Sequence, residues 1–341
     1  MNPSNLPMAL VVGCRGLRLS DDERQFFRDA DPVGFILFHR NCESPDQVAA
    51  LVSDFRETVA REDAPVLIDQ EGGRVQRLAP PQWRAAPAAK RFADLYEYNE
   101  DAALEAARLN ALLMARDLYK LDITVNCAPV LDVPQPDAHD IIGDRAHGRS
   151  PDAAARIGRA VADGLLASGV LPVIKHLPGH GRAHADSHLE LPVVDTSRKE
   201  LEAIDFLPFR ALSDLPWAMT GHVVYTSLDK SRSATTSGKI IEDVIREEFG
   251  FEGVLVSDDL GMKALKGGFD ERARMSLAAG CDIVLHCSGD MAEMLAAAKG
   301  CSQLSAAAIA RLERGEAMRQ EAFRDEVSSD AALARLEELL A

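Results

Sequence analysis

The chain has 341 residues, and its 38 Lys and Arg residues stand against 54 Asp and Glu residues, for a net charge of −16. This charge argues against nucleic acid as a partner, because phosphate binding requires clustered Lys and Arg, and against binding to an anionic membrane surface. No apolar run reaches the roughly 18 residues needed to cross a bilayer. The length fits two or three small domains, or one large (β/α)8 barrel with insertions.

The N-terminus and the cysteines indicate the cellular compartment of the protein. Val11-Val12-Gly13-Cys14 resembles the end of a bacterial lipoprotein signal, but no Lys or Arg precedes it and the apolar stretch from Met8 is too short. We therefore interpret Met8–Gly13 as a first strand. The six cysteines, at positions 14, 42, 127, 281, 287 and 301, form no CxxC pair. This pattern favours reduced thiols and a cytoplasmic protein.

Short apolar runs alternate with helical patterns along the chain. Eight runs predict strands, at Ala9–Gly13, Gly34–Phe38, Pro65–Asp69, Ile123–Cys127, Leu171–Lys175, Trp217–Thr220, Gly253–Ser257 and Asp282–His286. Helices are predicted at Pro45–Arg61, Leu104–Tyr119, Ala153–Ser168 and Lys239–Phe249. Ser44-Pro45 and Ser150-Pro151 fit a helix N-cap followed by the first helical residue, and Gly250 fits a helix end.

The strands are continuously apolar, as expected for a parallel sheet covered by helices on its faces. Eight strand–helix units predict a (β/α)8 TIM barrel. A doubly wound open sheet is the alternative, but no GxGxxG pattern opens the first helix. Residues 291–341 predict helices packed on the barrel, because Leu312, Leu333, Leu336 and Leu339 need burial. We predict one barrel domain over residues 1–341, with 291–341 as its helical extension.

Polar residues follow most of the predicted strands. They occur in DQEGGRVQRL (69–78), in Asn126 and Pro129–Asp132, in KHLPGHG (175–181), in Thr220-Gly221-His222 and in Ser257-Asp258-Asp259. The C-terminal ends of barrel strands meet at one rim, and chemistry in such barrels takes place there. Five such segments are more than helix caps alone would explain, so the sequence predicts an active site at this rim.

Two adjacent acids, Asp258 and Asp259, end the seventh strand. Neighbouring side chains on an extended chain point to opposite sides, so one of the two can face the barrel mouth. Both could instead cap a helix beginning near Leu260. We favour Asp258 as the functional acid and Asp259 as a supporting or capping group.

Four histidines, at positions 176, 180, 184 and 188, recur at every fourth residue. One helix face of histidines would suggest a metal site, but Pro178, Gly179 and Gly181 interrupt such a helix. A long loop at the active site fits better, although a loop could still gather metal ligands. Within it, Asp186 could fix the tautomer of His188 and raise its pKa toward neutrality, which suits an acid–base catalyst. A solvated Asp and His is the alternative.

Lys175-His176 ends the fifth strand and could bind a polyhydroxylated ligand. Lys175 could instead form a Schiff base, as in barrel aldolases. That role needs an apolar pocket, which the sequence around Lys175 lacks, and a carboxylate such as Asp186 would keep the amine protonated.

Together the motifs resemble the bacterial β-N-acetylglucosaminidases of glycoside hydrolase family 3, of the single-domain type that recycles cell-wall fragments. The resemblance covers roughly residues 8–290. It rests on seven motifs in order: GFILFHRN (34–41), LIDQEGGRVQRL (67–78), NCAPVLDV (126–133), GDRAHGRSP (143–151), KHLPGHG with DSH (175–181, 186–188), MTGHVVY (219–225) and FEGVLVSDDLGM (251–262). HLPG and MTGH differ slightly from the HFPG and MTAH of many relatives.

The resemblance implies a role for each matched residue. Asp258 would be the nucleophile, His188 the general acid/base and Asp186 its partner, while His222 lies on a recurring motif of the family. Sugar binding would fall to a set of charged and polar side chains: Asp69, Arg77, Arg145, Lys175 and His176. We expect no counterpart of the second domain of larger family members, so this barrel would supply every ligand.

The implied activity is retaining, exo-acting hydrolysis, without a cofactor or metal, of terminal N-acetylglucosamine from 1,6-anhydromuropeptide fragments in the cytoplasm. We expect a monomer. Because a neutral imidazole does not repel anions, phosphate could replace water, which would make the enzyme a phosphorylase. A metal-dependent barrel hydrolase and a sugar-binding protein without turnover are the alternatives from other classes.

Overall fold

The computed structural model describes residues 6–136, 140–183, 191–324 and 327–341. Eight parallel strands close into a barrel in which each strand pairs with its neighbours in the chain. The strands are β1 (Met8–Val12), β2 (Pro32–Leu37), β3 (Val66–Ile68), β4 (Val125–Asn126), β5 (Leu171–Leu177), β6 (Trp217–Thr220), β7 (Val254–Asp259) and β8 (Ile283–His286). The predicted TIM barrel is therefore confirmed, and the open sheet is excluded.

Closure is made by β1 and β8, where Leu10 lies opposite Val284 and Val12 opposite His286. Residues of β2, β3, β4 and β5 are buried along their whole length. Helices cover the outer face of the barrel and side chains fill its interior, so both faces of each strand are excluded from water. This burial on both faces explains the continuous apolar runs in the sequence.

Helices connect and surround the strands. They are α1 (Asp21–Ala30), α2 (Pro45–Thr58), α3 (Ala89–Tyr96), α4 (Glu100–Tyr119), α5 (Pro151–Ala167), α6 (Arg198–Glu200), α7 (Leu207–Ala211), α8 (Phe269–Ala279), α9 (Met291–Gly300), α10 (Ala306–Ala322) and α11 (Ser329–Leu340). Leu201–Asp205 and Ile240–Glu248 are π-helical. The hydroxyls of Ser44 and Ser150 accept N–H bonds at the starts of α2 and α5, as predicted.

The C-terminal helices pack on the barrel and its surrounding helices. Helix α10 contacts α5, β5 and β7, and α11 lies on α4. Leu336 is buried, while Leu312, Leu333 and Leu339 are partly buried against the core. Within the described ranges, no helix combines the length and hydropathy that a membrane span requires.

Two small sheets lie beyond the strand ends and shape the barrel rim. After β3, Gln70–Gly72 pairs antiparallel with Val75–Gln76. Val193–Val194 pairs in parallel with Val224–Tyr225, which follows β6. The first sheet turns the DQEGGRVQRL motif back over the barrel mouth. The second joins the segment that follows β5 to the segment that follows β6.

Candidate active site

A cavity of about 330 Å³ opens at the C-terminal ends of the strands. Six residues that the sequence predicted as catalytic or substrate-binding line it together: Asp69, Arg77, Arg145, Lys175, His176 and Asp258. Asp186 and His188 lie outside the described residues. A larger cavity of about 570 Å³ lies at the opposite end of the barrel, beside α10. There Arg319 pairs with Glu316, and none of the predicted residues lines it.

A chain of alternating charges forms one wall of the cavity. The Nζ atom of Lys175 lies 2.9 Å from Asp69 Oδ1 and 2.7 Å from Glu71 Oε1. Arg77 Nη2 donates to Asp69 Oδ2 at 3.0 Å. Arg145 grips Glu71 through Nε and Nη2, both at 2.8 Å. Such two-pronged bonds fix direction as well as distance, so the wall is rigid before any ligand arrives.

Glu71 is a member of this wall that the sequence reasoning did not single out. It stands two residues after Asp69, and side chains two apart on an extended chain share a face. That spacing was the available signal. Its side chain is only 5% exposed, so Lys175 and Arg145 compensate a charge that has been removed from water.

The pKa values in this wall follow from burial and pairing. Burial alone would raise the pKa of Asp69 and of Glu71, but Lys175 acts on both, with Arg77 on the first and Arg145 on the second. The pKa of Asp69 therefore falls well below its usual range, and that of Glu71 falls to about 2. Burial would lower the pKa of Lys175, but the two carboxylates raise it above its ordinary value. An amine that keeps its proton is a poor Schiff-base nucleophile.

Asp258 lies at the end of β7 and faces the cavity. Its Oδ1 accepts the backbone N–H of Asp259 at 2.8 Å. Burial would raise its pKa, but His176 and that N–H bond lower it below the ordinary value. Asp258 is therefore ionised at neutral pH while being 7% exposed. A partly desolvated carboxylate of this kind can act as a nucleophile.

Asp259 has a different task from its neighbour. Its Oδ1 accepts the backbone N–H groups of Gly261 at 2.9 Å and Cys287 at 3.0 Å. These bonds tie the end of β7 to the segment that follows β8. Asp259 therefore makes the backbone bonds expected of a capping group, although it lines the cavity together with Asp258.

Asp132 holds the two described histidines of the KHLPGHG motif. Its Oδ2 lies 2.7 Å from His176 Nδ1, and its Oδ1 accepts the backbone N–H groups of His176 at 3.2 Å and His180 at 2.6 Å. Because an ionised carboxylate can only accept, Nδ1 of His176 carries a proton and Nε2 is left for the cavity side. Asp132 followed an apolar run in the sequence, but nothing there indicated its partners.

His180 and His222 are both neutral at physiological pH. Burial lowers the pKa of His180 to about 4, and its ring lines the cavity. Burial also lowers the pKa of His222. His222 Nε2 donates to the carbonyl of Asp259 at 3.0 Å, and its Nδ1 lies 2.8 Å from Thr235 Oγ1. His222 therefore supports the end of β7 from behind the cavity.

The charged side chains that line the cavity balance one another. Four are acids (Asp69, Glu71, Asp258 and Asp259) and four are bases (Arg74, Arg77, Arg145 and Lys175). In the parts of the chain that the structure describes, no cluster of three His, Cys, Asp or Glu side chains could hold a metal ion. The arrangement suits a polyhydroxylated, largely uncharged ligand bound by fixed donors and acceptors next to an ionised carboxylate.

Residues 6–321 match the family model described as the glycosyl hydrolase family 3 N-terminal domain. The chain belongs to glycosyl hydrolase family 3. Two relatives named beta-hexosaminidase, from Alkalilimnicola ehrlichii and Methylococcus capsulatus, are each 40% identical to it. The alignments cover 82% and 80% of this chain and 80% of each relative. The predicted family resemblance is confirmed, and the enzyme is a glycoside hydrolase of the β-hexosaminidase type.

Solved structures agree with this assignment. Native NagZ from Neisseria gonorrhoeae is 32% identical, with a TM-score of 0.87 and 98% coverage of both chains. That Neisseria protein has also been solved in complex with N-trifluoroacetyl-D-glucosamine and, separately, with a zinc ion. Small-carbohydrate binding by the Neisseria protein fits the character of the cavity in this enzyme.

Proposed function

We propose that the enzyme is a monomeric, cytoplasmic, retaining exo-β-N-acetylglucosaminidase. Its substrate would be a 1,6-anhydromuropeptide-type cell-wall fragment with a terminal N-acetylglucosamine. The observation that carries the proposal is Asp258, an ionised and buried carboxylate at the base of a charge-balanced cavity. The likeness to a protein solved with a glucosamine derivative supports the choice of sugar.

The reaction would proceed in two displacements. Asp258 attacks the anomeric carbon and forms a covalent glycosyl ester, while His188 protonates the departing oxygen. Asp186 orients the imidazole and stabilises its charged form. His188 then takes a proton from water, and the resulting hydroxide attacks the anomeric carbon and releases the sugar from Asp258. No metal or cofactor takes part in either step.

The charged wall would hold the sugar during both steps. The carboxylates of Asp69 and Glu71 pair with some of the N–H groups of the three cations Lys175, Arg77 and Arg145. The remaining N–H groups of these cations can donate to hydroxyl oxygens, and Asp69 can accept from a hydroxyl. His176, fixed by Asp132, adds one ring nitrogen beside Asp258. Because the wall is set before binding, little free energy is lost in ordering it.

The test is hydrolysis of 4-nitrophenyl β-N-acetylglucosaminide by the wild type and by Asp258→Ala. We expect the rate to fall by several orders of magnitude, since no other group replaces the nucleophile. A fluorosugar that slows the second displacement should leave an adduct on the peptide containing Asp258. A loss of only a few-fold, or an adduct on another side chain, would contradict the proposal.

Three further experiments separate the alternative functions. In phosphate buffer, sugar 1-phosphate as the main product would identify a phosphorylase, and free N-acetylglucosamine a hydrolase. Full activity after treatment with a chelator would eliminate a metal-dependent hydrolase. Binding of N-acetylglucosamine without turnover would identify a sugar-binding protein.

A further inference from the structure

Tyr225 contacts both ends of the chain segment that runs from β5 to the Val193–Val194 strand. This tyrosine is completely buried and follows β6. Its phenolic O–H donates to the carbonyl of Gly179 at 2.6 Å. The hydroxyl therefore holds the outgoing end of the segment, a few residues after β5.

The backbone around Tyr225 holds the returning end of the same segment. Val224–Tyr225 pairs in parallel with Val193–Val194. The N–H of Val224 donates to the carbonyl of Pro192 at 3.0 Å, and the N–H of Thr226 donates to the carbonyl of Val194 at 3.1 Å. Residues 224–226, after β6, thus bond to the segment both where it leaves the barrel and where it comes back.

Other described contacts secure one end or the other, and most of them secure the outgoing end. Arg182 Nε lies 2.6 Å from Asp205 Oδ2, and the carbonyl of Gly181 accepts from the N–H of Gln135 at 3.0 Å. The N–H of His180 donates to Asp132. These bonds hold residues 180–182 but leave their distance to residues 192–194 undefined. Tyr225 is different because its hydroxyl bonds to the outgoing end, while its own backbone lies between the two residues whose N–H groups bond to the returning end.

We infer that Tyr225 is a positioning residue for proton transfer in this enzyme, because it sets the separation and direction of the two ends between which Asp186 and His188 lie. This inference rests on the proposed function, in which His188 protonates the leaving oxygen. Tyr225 does not line the active-site cavity, so its effect would pass through the backbone at Gly179 and Val194.

Proton transfer has a kinetic signature that simple unfolding lacks. A leaving group of low pKa, such as dinitrophenolate, departs without a proton, whereas an alcohol of high pKa must be protonated as it leaves. A misplaced acid therefore slows alkyl glycosides much more than dinitrophenyl glycosides. Loss of folded protein slows both equally.

The experiment compares kcat/KM of the wild type and Tyr225→Phe on 2,4-dinitrophenyl and methyl β-N-acetylglucosaminides. The substitution removes one hydroxyl and keeps the ring, and a urea midpoint checks that the variant is folded. We expect roughly a 10-fold or greater loss on the methyl glycoside and a change within about 2-fold on the dinitrophenyl glycoside.

Tyr96→Phe is the matched control. Tyr96 is also buried, and its hydroxyl donates to Asp152 and accepts from Arg156, on the helices outside the barrel. Its loss should leave the ratio of the two rates unchanged. Equal losses on both substrates for Tyr225→Phe, or no loss on either, would overturn the inference.

His188→Ala separates the inference from the proposed function. If kcat/KM of this variant falls equally on both substrates, the acid/base assignment fails and the inference fails with it. If His188→Ala shows a selective fall in kcat/KM on the methyl glycoside and Tyr225→Phe does not, only the role of Tyr225 is rejected.

Discussion

The carboxylate of Glu71 lies between two cations in the wall of the active site. Arg145 binds it through two nitrogens, and Lys175 lies 2.7 Å from it. Neither cation has much contact with water, since their side chains are 12% and 2% exposed. Removing one charge here leaves the buried charges of its partners unpaired. The free-energy cost of an unpaired buried charge is larger than the net stabilisation that the intact ion pair provides.

Glu71→Gln should therefore destabilise the fold by roughly 3–5 kcal/mol and also weaken substrate binding, because Arg145 is no longer held in place. Urea unfolding and KM measure the two effects. Glu105→Gln is the matched control, since Glu105 pairs with Arg335 through the same two-pronged geometry on the surface. The loss of unfolding free energy in Glu105→Gln should stay below about 1 kcal/mol. Equal losses for the two variants would contradict this account of the buried wall.

At the scale of elements, the backbone is tightly packed in the turn after β5. A methyl group at Gly181 would lie 2.1 Å from the carbonyl oxygen of Val133, a backbone atom that cannot move away freely. The carbonyl of Gly181 also accepts from the N–H of Gln135. Glycine at this position thus lets the turn lie flat on the segment after β4.

Gly181→Ala should force the turn away from that segment and reduce kcat/KM by roughly 10-fold or more, since small displacements near a reacting centre are costly. Gly16→Ala is the control, because a methyl group there would meet no atom within 4 Å. Hydrolysis of an aryl β-N-acetylglucosaminide measures both. If the two variants keep the same activity, close packing at Gly181 does not matter for catalysis.

The elements themselves were largely predictable, and their edges were not. All eight strands were expected, because burial on both faces makes a parallel strand a continuous apolar run. The helix predicted from Leu104 begins instead at Glu100, after Asn99 as its N-cap. The helix predicted at Lys239–Phe249 is π-helical over Ile240–Glu248, a difference that apolar spacing does not resolve. Gly250, with φ of +67°, follows it as expected.

Partners in the site were harder to predict than the residues themselves. Lys175 was singled out because it ends a strand, and Asp186 was expected to keep it protonated. In the described residues, Asp69 and Glu71 keep it protonated, and both lie more than a hundred positions earlier in the chain. Asp186 lies outside the described residues, so its contribution stays a prediction. Strand ends can be read from a sequence, but which ends are neighbours across the barrel mouth depends on closure and register.

For the whole molecule, buried histidines govern how stability responds to acid. Burial lowers the pKa of His147, His180, His222 and His286, and that of His180 falls to about 4. The unfolded chain binds protons at these sites near pH 6.5, whereas the folded chain resists them. Their contribution is therefore complete above about pH 6.5 and is lost as the pH falls toward the folded values. Glu71 adds a further loss below about pH 4.5.

Asp205 acts in the opposite direction. Burial raises its pKa to about 6, so the folded state gains a proton there before the unfolded state does. Its contribution is present below its unfolded pKa and is lost as the pH rises through about 6. One such acid offsets only part of the effect of four histidines.

The urea midpoint should therefore decline between about pH 7 and pH 4, at constant ionic strength. His180→Gln should decline less steeply, because a contribution of roughly 3 kcal/mol at most is removed. A midpoint that stays level across this range, or the same slope in the variant, would show that these imidazoles are not held neutral by the fold.

The balance of four acids and four bases around the cavity contrasts with a molecule of net charge −16. An uncharged saccharide diffuses toward such a mouth without electrostatic steering, and dissolved salt leaves its arrival rate unchanged. A ligand that carries carboxylates is repelled by the negative surface of the protein as it approaches. It meets balanced charges only once it reaches the cavity. Raising the ionic strength would then increase the association rate of anionic substrates and leave that of neutral substrates unchanged.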